Sequence, residues 1–379
     1  MSISFLSNVI DNVFDNVFET VCPSPSETTL SCIVSLVSTE TRAPQLPLRV
    51  TITDVAREAG VSVATVSKVI NSRYGVAEAT IARVMGVVSE LGYESSLVAS
   101  SLRRTRTNVI GILVAEFEPF STELLKAIAA ANNGSGYELL AYSGPNADEY
   151  RVGWELRSLS RLAGTLIDGA IIVTPTVLMP NTSIPVVAID PHTGQGGPST
   201  VGSDNVVGAR TATEYLISLG HRRIAHIRGR TDLESAQLRE AGYRQSLEAA
   251  GIPFDPRLVR DGNYRGPQTD DAARELLTSS DRPTAIFAAN DLSAIRVLNV
   301  AAELGIRVPE DLSVIGFDDV PEAATATPPL TTMAQPLKEM GAQALQILLD
   351  LLSGGDVARH VHLPAALVVR ASTGPVPAT

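Results

Sequence analysis

From residue 107 onward, short apolar runs alternate with amphipathic helical segments, and this alternation restricts the chain to few folds. Near-continuous apolar strands that alternate with helices are typical of parallel sheets covered by helices on both faces. About 270 residues of this pattern are more than one such sheet usually holds. The sequence therefore predicts an α/β core of two doubly wound parallel-sheet subdomains, with a ligand between them near the carboxyl ends of the strands. The strand-like runs are Asn108–Ala115, Tyr137–Tyr142, Asp168–Thr174, Pro185–Ile189, Arg223–Ile227, Thr284–Ala289 and Ser313–Phe317. The helical segments include Thr122–Ala131, Gly208–Leu219, Ser235–Ala250 and Asp291–Leu304.

Basic residues are concentrated in one short part of an acidic chain. The 379 residues carry a formal net charge of −11 at pH 7, which argues against a protein that coats nucleic acid with its whole surface. Residues 50–106, however, hold seven Lys and Arg against five Asp and Glu. This balance permits a small basic module that binds nucleic acid ahead of a large acidic domain.

Other compositional features predict a cytoplasmic protein. The two cysteines, Cys22 and Cys32, both lie near the start, so we expect neither a disulfide framework nor a multi-cysteine zinc site. No apolar run reaches the roughly 18 residues of a membrane span. The first 40 residues lack Lys and Arg, whereas a secretory signal begins with a basic segment. Residues 1–49 are rich in Ser, Thr, Asn and Pro, and we expect a disordered tail or an extension upstream of a true start near Val50.

Thr51–Asn71 has the pattern of two short helices joined by a tight turn. Thr53 is predicted to cap the first helix, Gly60 to turn the chain, and Ser62 to cap the second helix. This arrangement is typical of a helix-turn-helix, whose second helix enters the major groove of DNA. An ordinary packed pair of helices has the same local pattern, but the basic charge of the segment favours DNA binding.

A third helix is predicted from about Glu78 to Leu91, with Gly92 as its stop signal. The apolar faces of the three helices are predicted to comprise Ala56, Val61, Val66, Val69, Ile81, Val84, Val88 and Leu91.

The Thr51–Asn71 segment resembles the DNA-binding headpiece of the lactose-repressor (LacI-type) family of bacterial transcription regulators. The resemblance extends over about residues 51–372, because further family-like motifs follow in order. It implies a headpiece, a hinge and a core like that of periplasmic sugar-binding proteins. The motifs are Ala82-Arg83-Val84, Leu91-Gly92-Tyr93, Leu97–Leu102, Asn108–Gly111, Leu219–Ile224, Leu238–Tyr243, Ala289-Asn290-Asp291, Gly316–Asp319 and Pro329–Thr332.

Five parts of the chain are expected. They are residues 1–49 as the tail or extension, 50–93 as the headpiece, 94–106 as the hinge, 107–372 as the core and 373–379 as a C-terminal tail. Within the core, subdomain 1 comprises about 107–204 plus 336–364, and subdomain 2 comprises about 205–333 plus 365–372.

The resemblance also implies roles for the second helix of the headpiece. Ser62, Thr65 and Ser67 offer hydroxyl groups, and at the helix N-terminus these suit DNA phosphates. Val63 and Ala64 match base-reading positions, although such short apolar side chains can only touch thymine methyl groups.

Four further residues complete the predicted DNA contacts. Lys68, one turn along, is the expected hydrogen-bonding base reader, and Tyr93 is expected to reach a backbone phosphate. In the hinge, Leu102 matches the leucine that is wedged into a central base step from the minor groove, with Ala99 one turn before it. Ser95-Ser96 replaces the family's usual Pro-Asn, so the hinge helix is expected to fold less readily. A solvated linker is the alternative for Leu102.

For the core, the resemblance implies four polar residues that hold a small effector. Arg239 matches an arginine that grips ligand hydroxyl or carboxylate groups with its fork of donors. Asp190, Asn290 and Asp318 match positions at strand ends that hydrogen-bond the ligand. Ordinary roles stay open: the aspartates could cap turns, Asn290 could cap the next helix, and Arg239 could form an exposed helical ion pair.

The effector is predicted to be a carbohydrate. One Arg with several Asp and Asn suits a neutral polyol better than a phosphate, which carboxylates repel. Phe120 and Tyr264 could stack on the apolar face of a sugar, or simply pack. A purine is the second choice, because its flat ring prefers aromatic stacking and aromatic residues are sparse, at 4%.

The resulting prediction is a repressor of carbohydrate-utilisation genes that binds a pseudo-palindromic operator as a homodimer; an activator role depends on operator position and stays open. A transporter's solute-binding protein would need a signal peptide and lack a helix-turn-helix. A sugar-processing enzyme would need a catalytic set, and the five histidines form no Ser-His-Asp or His-x-x-x-His pattern. His360 and His362 are expected to be exposed rather than metal ligands, and no cofactor is predicted.

Overall fold

The computed structural model describes residues 50–70, 75–93, 106–144, 152–179, 182–191, 197–264, 266–355 and 359–377. The predicted tail 1–49 and nearly all of the predicted hinge lie outside these residues. The chain divides into two compact units, Met1–Ser95 and Ser96–Thr379. None of the described helices is long and apolar enough to cross a membrane.

Three short helices form the described part of the headpiece. They are α1 (Ile52–Ala59), α2 (Val63–Ile70) and α3 (Glu78–Leu91). Isolated helices of eight residues, such as α1 and α2, are marginal in water, so the unit depends on side chains that all three bury together. The buried cluster comprises Val55, Ala56, Ala59, Val66, Val69, Val84 and Val87.

The start of α1 differs from the prediction. Its N-cap is Thr51 rather than Thr53: the Thr51 amide donates to Asp54 Oδ2 over 2.9 Å, and the Asp54 amide donates to Thr51 Oγ1 over 3.4 Å. This reciprocal arrangement satisfies two free donors at the helix start, which Thr53 could not do. On α3, Ile81 was expected to lie on the apolar face but is 39% exposed, and Val87 is buried instead.

The core contains twelve described strands and eight further described α-helices. The strands are β1 (Val109–Val114), β2 (Glu138–Ser143), β3 (Gly169–Val173), β4 (Val186–Ile189), β5 (Ser199–Ser203), β6 (Ile224–Arg228), β7 (Val259–Asp261), β8 (Ala285–Ala288), β9 (Ser313–Asp318), β10 (Thr331–Ala334), β11 (His360–Leu363) and β12 (Ala366–Val368). The helices are α4 (Pro119–Ala131), α5 (Trp154–Leu162), α6 (Asn205–Ser218), α7 (Glu234–Ala249), α8 (Gly266–Leu277), α9 (Asp291–Glu303), α10 (Pro321–Thr325) and α11 (Leu337–Leu352).

These strands form two six-stranded sheets. The first has the order β11-β5-β4-β3-β1-β2, and its strand pairs are parallel. The second has the order β12-β10-β9-β8-β6-β7, in which β12 pairs antiparallel with β10 at one edge. Every residue of β1, β3, β4, β8 and β9 is buried, as expected for strands covered on both faces. The prediction of two parallel-dominated sheets is confirmed, with the antiparallel edge as the departure.

The chain crosses between the two sheets three times, after β5, after β10 and after β11. After the first crossing, α6 packs on the second sheet with α7, burying Ala209 and Leu216. After the second crossing, α11 returns to the first sheet and buries Met340 and Leu348 beside α4. Two subdomains thus share three connections, and the ends of their strands approach one another across a cleft.

The last described residues are packed on the second sheet. Val376 N donates to Leu219 O over 2.9 Å, and Gly374 O lies 3.0 Å from Nε2 of the buried His221. Thr373 Oγ1 also lies 2.9 Å from Thr331 Oγ1. The described part of the segment expected to be a tail is therefore anchored to this sheet through backbone and side-chain hydrogen bonds.

Candidate DNA-binding helix and ligand cavity

The second helix of the headpiece presents the predicted base-reading side chains to solvent. Ser62 caps α2 by accepting from Thr65 N over 3.1 Å, and its hydroxyl lies 2.9 Å from Thr65 Oγ1. Val66 and Val69 face inward and are buried, whereas Val63, Ala64 and Lys68 are exposed. An exposed helix N-terminus with its cap in place is a surface that can receive an anion such as a phosphate.

The other predicted DNA contacts are less exposed or lie outside the described residues. Thr65, Ser67 and Tyr93 are half-buried, and Tyr93 packs against the headpiece cluster just after Gly92, where α3 ends in a left-handed turn. Ala99 and Leu102 lie outside the described residues, so the hinge wedge stays a prediction.

A cavity of about 180 Å³ lies between the two sheets of the core. Residues at or just after strand ends line it from both sides. Those from the first sheet are Ala115, Thr174 and Asp190, and those from the second are Arg230, Asn263, Tyr264, Asn290 and Asp318. This is where doubly wound sheets bind small molecules.

All six residues predicted to contact an effector line this one cavity. They are Phe120, Asp190, Arg239, Tyr264, Asn290 and Asp318. The structure thus brings together side chains that are spread over most of the core sequence, and their role toward a ligand stays a prediction.

Arg239 is the buried cation of the cavity. It is 3% exposed, which rules out the alternative of an exposed helical ion pair. Its Nε donates to Asn205 Oδ1 over 2.8 Å, its Nη1 donates to Ala289 O over 2.5 Å, and its guanidinium lies over the Phe317 ring at 3.8 Å. Nη1 also lies 3.6 Å from Asp318 Oδ1. The planar fork is therefore held rigidly, with the Asp318 carboxylate beside it.

Asp190 and Asp318 stand on opposite sides of the cleft. Asp190 accepts from Ser235 Oγ over 3.0 Å, and Asp318 accepts from Gln335 Nε2 over 2.7 Å. Burial raises the pKa of both carboxyl groups, although Arg239 acts in the opposite direction on each. Two desolvated carboxylates that keep few protein donors are suited to accept hydrogen bonds from ligand hydroxyl groups.

Asn290 has both its predicted and its alternative role. It is the N-cap of α9 and accepts from Ser293 N over 3.0 Å, and it also lines the cavity. The cap uses one lone pair of Oδ1, so Asn290 can offer a ligand its NH₂ donors and the second lone pair of Oδ1.

Left-handed backbone is concentrated around the cavity. Of the seven described non-glycine residues with positive φ, five line it: Thr174, Asp190, Asn263, Tyr264 and Asp318. Thr174, at φ 47°, is β-branched and disfavours this conformation strongly. Such strain persists only where surrounding structure enforces it, and it commonly marks a functional site.

The cavity also includes residues that the sequence did not single out. Glu118 caps α4 by accepting from the Phe120 and Ser121 amides, both over 2.8 Å. Burial raises the pKa of Glu118, although these hydrogen bonds lower it. Gln335 and Thr174 enter from a crossing segment and a strand end. A carboxylate directly before Pro119, at the N-cap position of α4, was the available signal for Glu118; no comparable local signal marks the other two.

The four described histidines, His221, His226, His360 and His362, are not among the residues that line this cavity. His226 is buried in the middle of β6 and stacks on Phe287 and Tyr243, with ring centres 4.8 and 5.2 Å away. Burial lowers its pKa to about 4. His360 is exposed and lies 2.8 Å from Thr200 Oγ1. In the described part of the chain, no group of three His, Cys, Asp or Glu side chains could hold a metal ion.

Comparisons with known proteins match both units. A family model described as "Bacterial regulatory proteins, lacI family" matches residues 51–96, and a "Periplasmic binding protein-like domain" model matches residues 213–373. The ribose operon repressor of Escherichia coli (strain K12) is 36% identical over 311 residues, which are 80% of this chain and 93% of that protein.

Two solved structures are also similar. A complex of the transcriptional regulator CelR with cellobiose has a TM-score of 0.63 and 33% identity, covering 86% of this chain and 100% of that chain. The Lac repressor dimer bound to operator and the anti-inducer ONPF has a TM-score of 0.71 and 28% identity, covering 86% of this chain and 99% of that chain.

Proposed function

The chain belongs to the lacI family of bacterial regulatory proteins, and on that premise we propose that it represses carbohydrate-utilisation genes under the control of a small sugar. Family membership makes it a DNA-binding transcriptional regulator and not an enzyme. The observation that carries the sugar assignment is the cavity between the subdomains, whose walls combine buried acceptors at Asp190 and Asp318 with donors at Arg239 and Asn290.

The chemistry of the cavity favours a neutral polyol over an anion. Four carboxyl-bearing residues, Glu116, Glu118, Asp190 and Asp318, line it with two arginines. Arg239 lies beside Asp318, and Arg230 pairs with Asp232. A phosphate or carboxylate would have to enter against this acidic excess, whereas sugar hydroxyl groups can both donate to the carboxylates and accept from the arginine.

The size of the cavity favours a monosaccharide. Its 180 Å³ is below the ~300–1,000 Å³ of typical small-molecule sites. The names of similar proteins point to sugars of different size, since one is a ribose operon repressor and another was solved with cellobiose. The small volume leads us to propose a pentose or hexose, rather than a disaccharide, as the effector.

A ligand screen tests this proposal. We expect D-ribose or D-glucose to raise the melting temperature of the full chain, because a ligand that binds only the native state stabilises it by mass action. Cellobiose, D-ribose 5-phosphate and adenine should leave it unchanged. Stabilisation by adenine alone would replace the sugar with a purine stacked on Phe120 and Tyr264, and stabilisation by the phosphate would contradict the argument from acidic charge.

We further propose that the protein acts as a homodimer on a pseudo-palindromic operator, in the cytoplasm and on the bacterial nucleoid. A short headpiece with few basic residues binds weakly alone, and two-fold pairing places two recognition helices in successive major grooves. The similar Lac repressor was solved as a dimer on its operator, which supports this assembly. Sedimentation of the full chain with and without a palindromic operator fragment should show two protomers per fragment.

A further inference from the structure

A buried carboxylate next to the ligand cavity, Asp291, is not among the cavity's lining residues. Asp291 is 0% exposed and is the first residue of α9. Its Oδ1 accepts from Thr332 Oγ1 on β10 over 2.5 Å, and its Oδ2 accepts from Val320 N over 3.0 Å. One side chain therefore ties α9 to β10 and to the turn that follows β9.

That turn presents a cavity residue in a strained conformation. Asp318 has φ 118° and Asp319 has φ 59°, both left-handed and both disfavoured for residues other than glycine. Asp319 is tied to Arg370 Nη2 over 2.6 Å, and Asp318 accepts from Gln335. The backbone of the turn itself is held by the Val320 amide, which donates to Asp291.

The neighbouring strand leaves room for the Asp291 carboxylate. A Cβ at Gly316, in the middle of β9, would lie 2.3 Å from Asp291 Oδ1. The glycine at this position therefore allows the Asp291 carboxylate to approach β9 closely, two residues before Asp318 and the turn.

We propose that Asp291 is a positioning residue, whose buried carboxylate holds the Asp318–Val320 turn so that Asp318 is aimed into the ligand cavity. This inference rests on the proposed function only for the consequence on ligand affinity. The hold on the turn is a property of the unliganded protein and can be tested without any ligand.

The charge of Asp291 should make sugar affinity depend on pH, which a purely structural contact would not do. Burial raises the pKa of Asp291 to about 7, although hydrogen bonds from Thr332 and Val320 lower it. Protonation below pH 7 removes its negative charge and weakens its hold on the Val320 amide, so sugar affinity should fall as pH decreases through about 7.

The other charged groups facing this site are Asp318 and Asp319 on β9 and its turn, Arg370 after β12, Arg239 on α7 and Glu118 before α4. These groups remain in an Asp291 variant. Because the Asp291 charge raises the pKa of Asp318, the difference between the variant and the wild type reports Asp291 together with its effect on Asp318.

The first experiment is hydrogen exchange on the unliganded full chain. In Asp291→Asn and in the isosteric Thr332→Val, we expect faster exchange of the Val320 amide, with a smaller change in Thr332→Val. Thr213→Val is the matched control, because Thr213 is equally buried and its hydroxyl donates to Ala209 O within α6. Unchanged exchange at Val320 in both variants, with the chain folded, overturns the proposal.

The second experiment is calorimetric titration with D-ribose at pH 6 and pH 8. We expect Asp291→Asn to weaken binding about tenfold at pH 8, the size expected for losing a charged hydrogen bond, and to reduce the fall in affinity between pH 8 and pH 6. In an Asp318→Ala background the same change should have no further effect, since Asp291 acts through Asp318. An equal loss in both backgrounds overturns the positioning role. If the wild type binds no sugar of the screen, the proposed function fails, and the exchange experiment still decides whether Asp291 holds the turn.

Discussion

The ring of Tyr264 lies directly against the Cα of Gly229, which follows β6. A Cβ at position 229 would lie 2.0 Å from Tyr264 Cζ and 2.3 Å from its Oη. Tyr264 and the preceding Asn263 both adopt left-handed backbone, with φ 58° and 52°. Burial raises the pKa of the Tyr264 hydroxyl to about 12. One wall of the cavity therefore depends on a glycine that does not line it.

Gly229→Ala should displace the Tyr264 ring and change the shape of the cavity. We expect weaker sugar binding together with a loss of roughly 1–3 kcal/mol of stability, the usual cost of overpacking. Calorimetric titration with D-ribose and chemical denaturation measure the two effects.

Gly202→Ala is the matched control for Gly229→Ala. Gly202 lies in β5, and a Cβ there would meet nothing within 4 Å. Equal losses of sugar affinity in the two alanine variants would contradict the role assigned to the close approach of Tyr264.

Arg239→Ala should abolish the response of operator binding to sugar, while operator affinity without sugar is retained. A ligand shifts an allosteric equilibrium only through its differential affinity for the two states, and Arg239 is the buried cation of the cavity. Its removal leaves Asp318 buried without its cation, so we also expect about 3–5 kcal/mol of destabilisation. Fluorescence anisotropy with labelled operator, titrated with D-ribose below the melting temperature, measures the response.

Arg244→Ala controls for the loss of an arginine from the same helix. The Arg244 side chain is 49% exposed and pairs with Glu240, so the sugar response should persist. Release of the Arg239→Ala variant from DNA at the wild-type sugar concentration would remove Arg239 from the effector site.

Lys68→Ala should weaken specific operator binding roughly tenfold, because one base contact contributes about 1–3 kcal/mol of discrimination. Ala64→Arg should shift the preferred operator sequence toward guanine at the contacted position, since arginine binds guanine through two hydrogen bonds. Selection from a randomised operator library measures both changes. Lys126→Ala, an exposed substitution on α4, is the control. Unaltered affinity and sequence preference in both headpiece variants would remove α2 as the recognition helix.

His226 should make the core less stable in acid. Its pKa is about 4 in the folded chain, against the ordinary histidine value of 6.5, so between these pH values the unfolded chain binds a proton that the folded chain excludes. The free energy of unfolding contributed by His226 therefore falls as pH decreases from 6.5 to 4, by up to about 3 kcal/mol. Buried carboxyl groups with raised pKa act in the opposite direction, so total stability is a poor measure.

The useful quantity is the stability difference between the wild type and His226→Asn. We expect this difference to shrink as pH falls from 7 to 4, as measured by urea denaturation at each pH. His360→Asn, at an exposed position on β11, is the control. A difference that stays constant over this pH range would mean that His226 takes up its proton without penalty.

Local patterns were sufficient to predict much of this protein. Helix caps, turns and apolar periodicity act over a few residues, so Ser62, Gly92 and the main strands could be recognised from the chain itself. The ordered motifs then predicted the family and a regulator rather than an enzyme, and the comparisons confirm both. The errors at Thr53 and Ile81 have a common origin, since a local pattern does not show which of two threonines a neighbouring carboxylate will engage, or how far a helix face is covered.

The full lining of the cavity could be identified only in the folded chain. Glu118, Thr174 and Gln335 are separated by long stretches of sequence, and each enters the cavity because a different strand or crossing segment ends at the cleft. The close approach of Tyr264 to Gly229 and of Asp291 to Gly316 likewise arises between elements that are distant in sequence. Packing, rather than local preference, enforces hydrogen bonds and left-handed turns of this kind. A buried polar group without a hydrogen bond is costly, so a strained backbone conformation that satisfies the group is the better alternative.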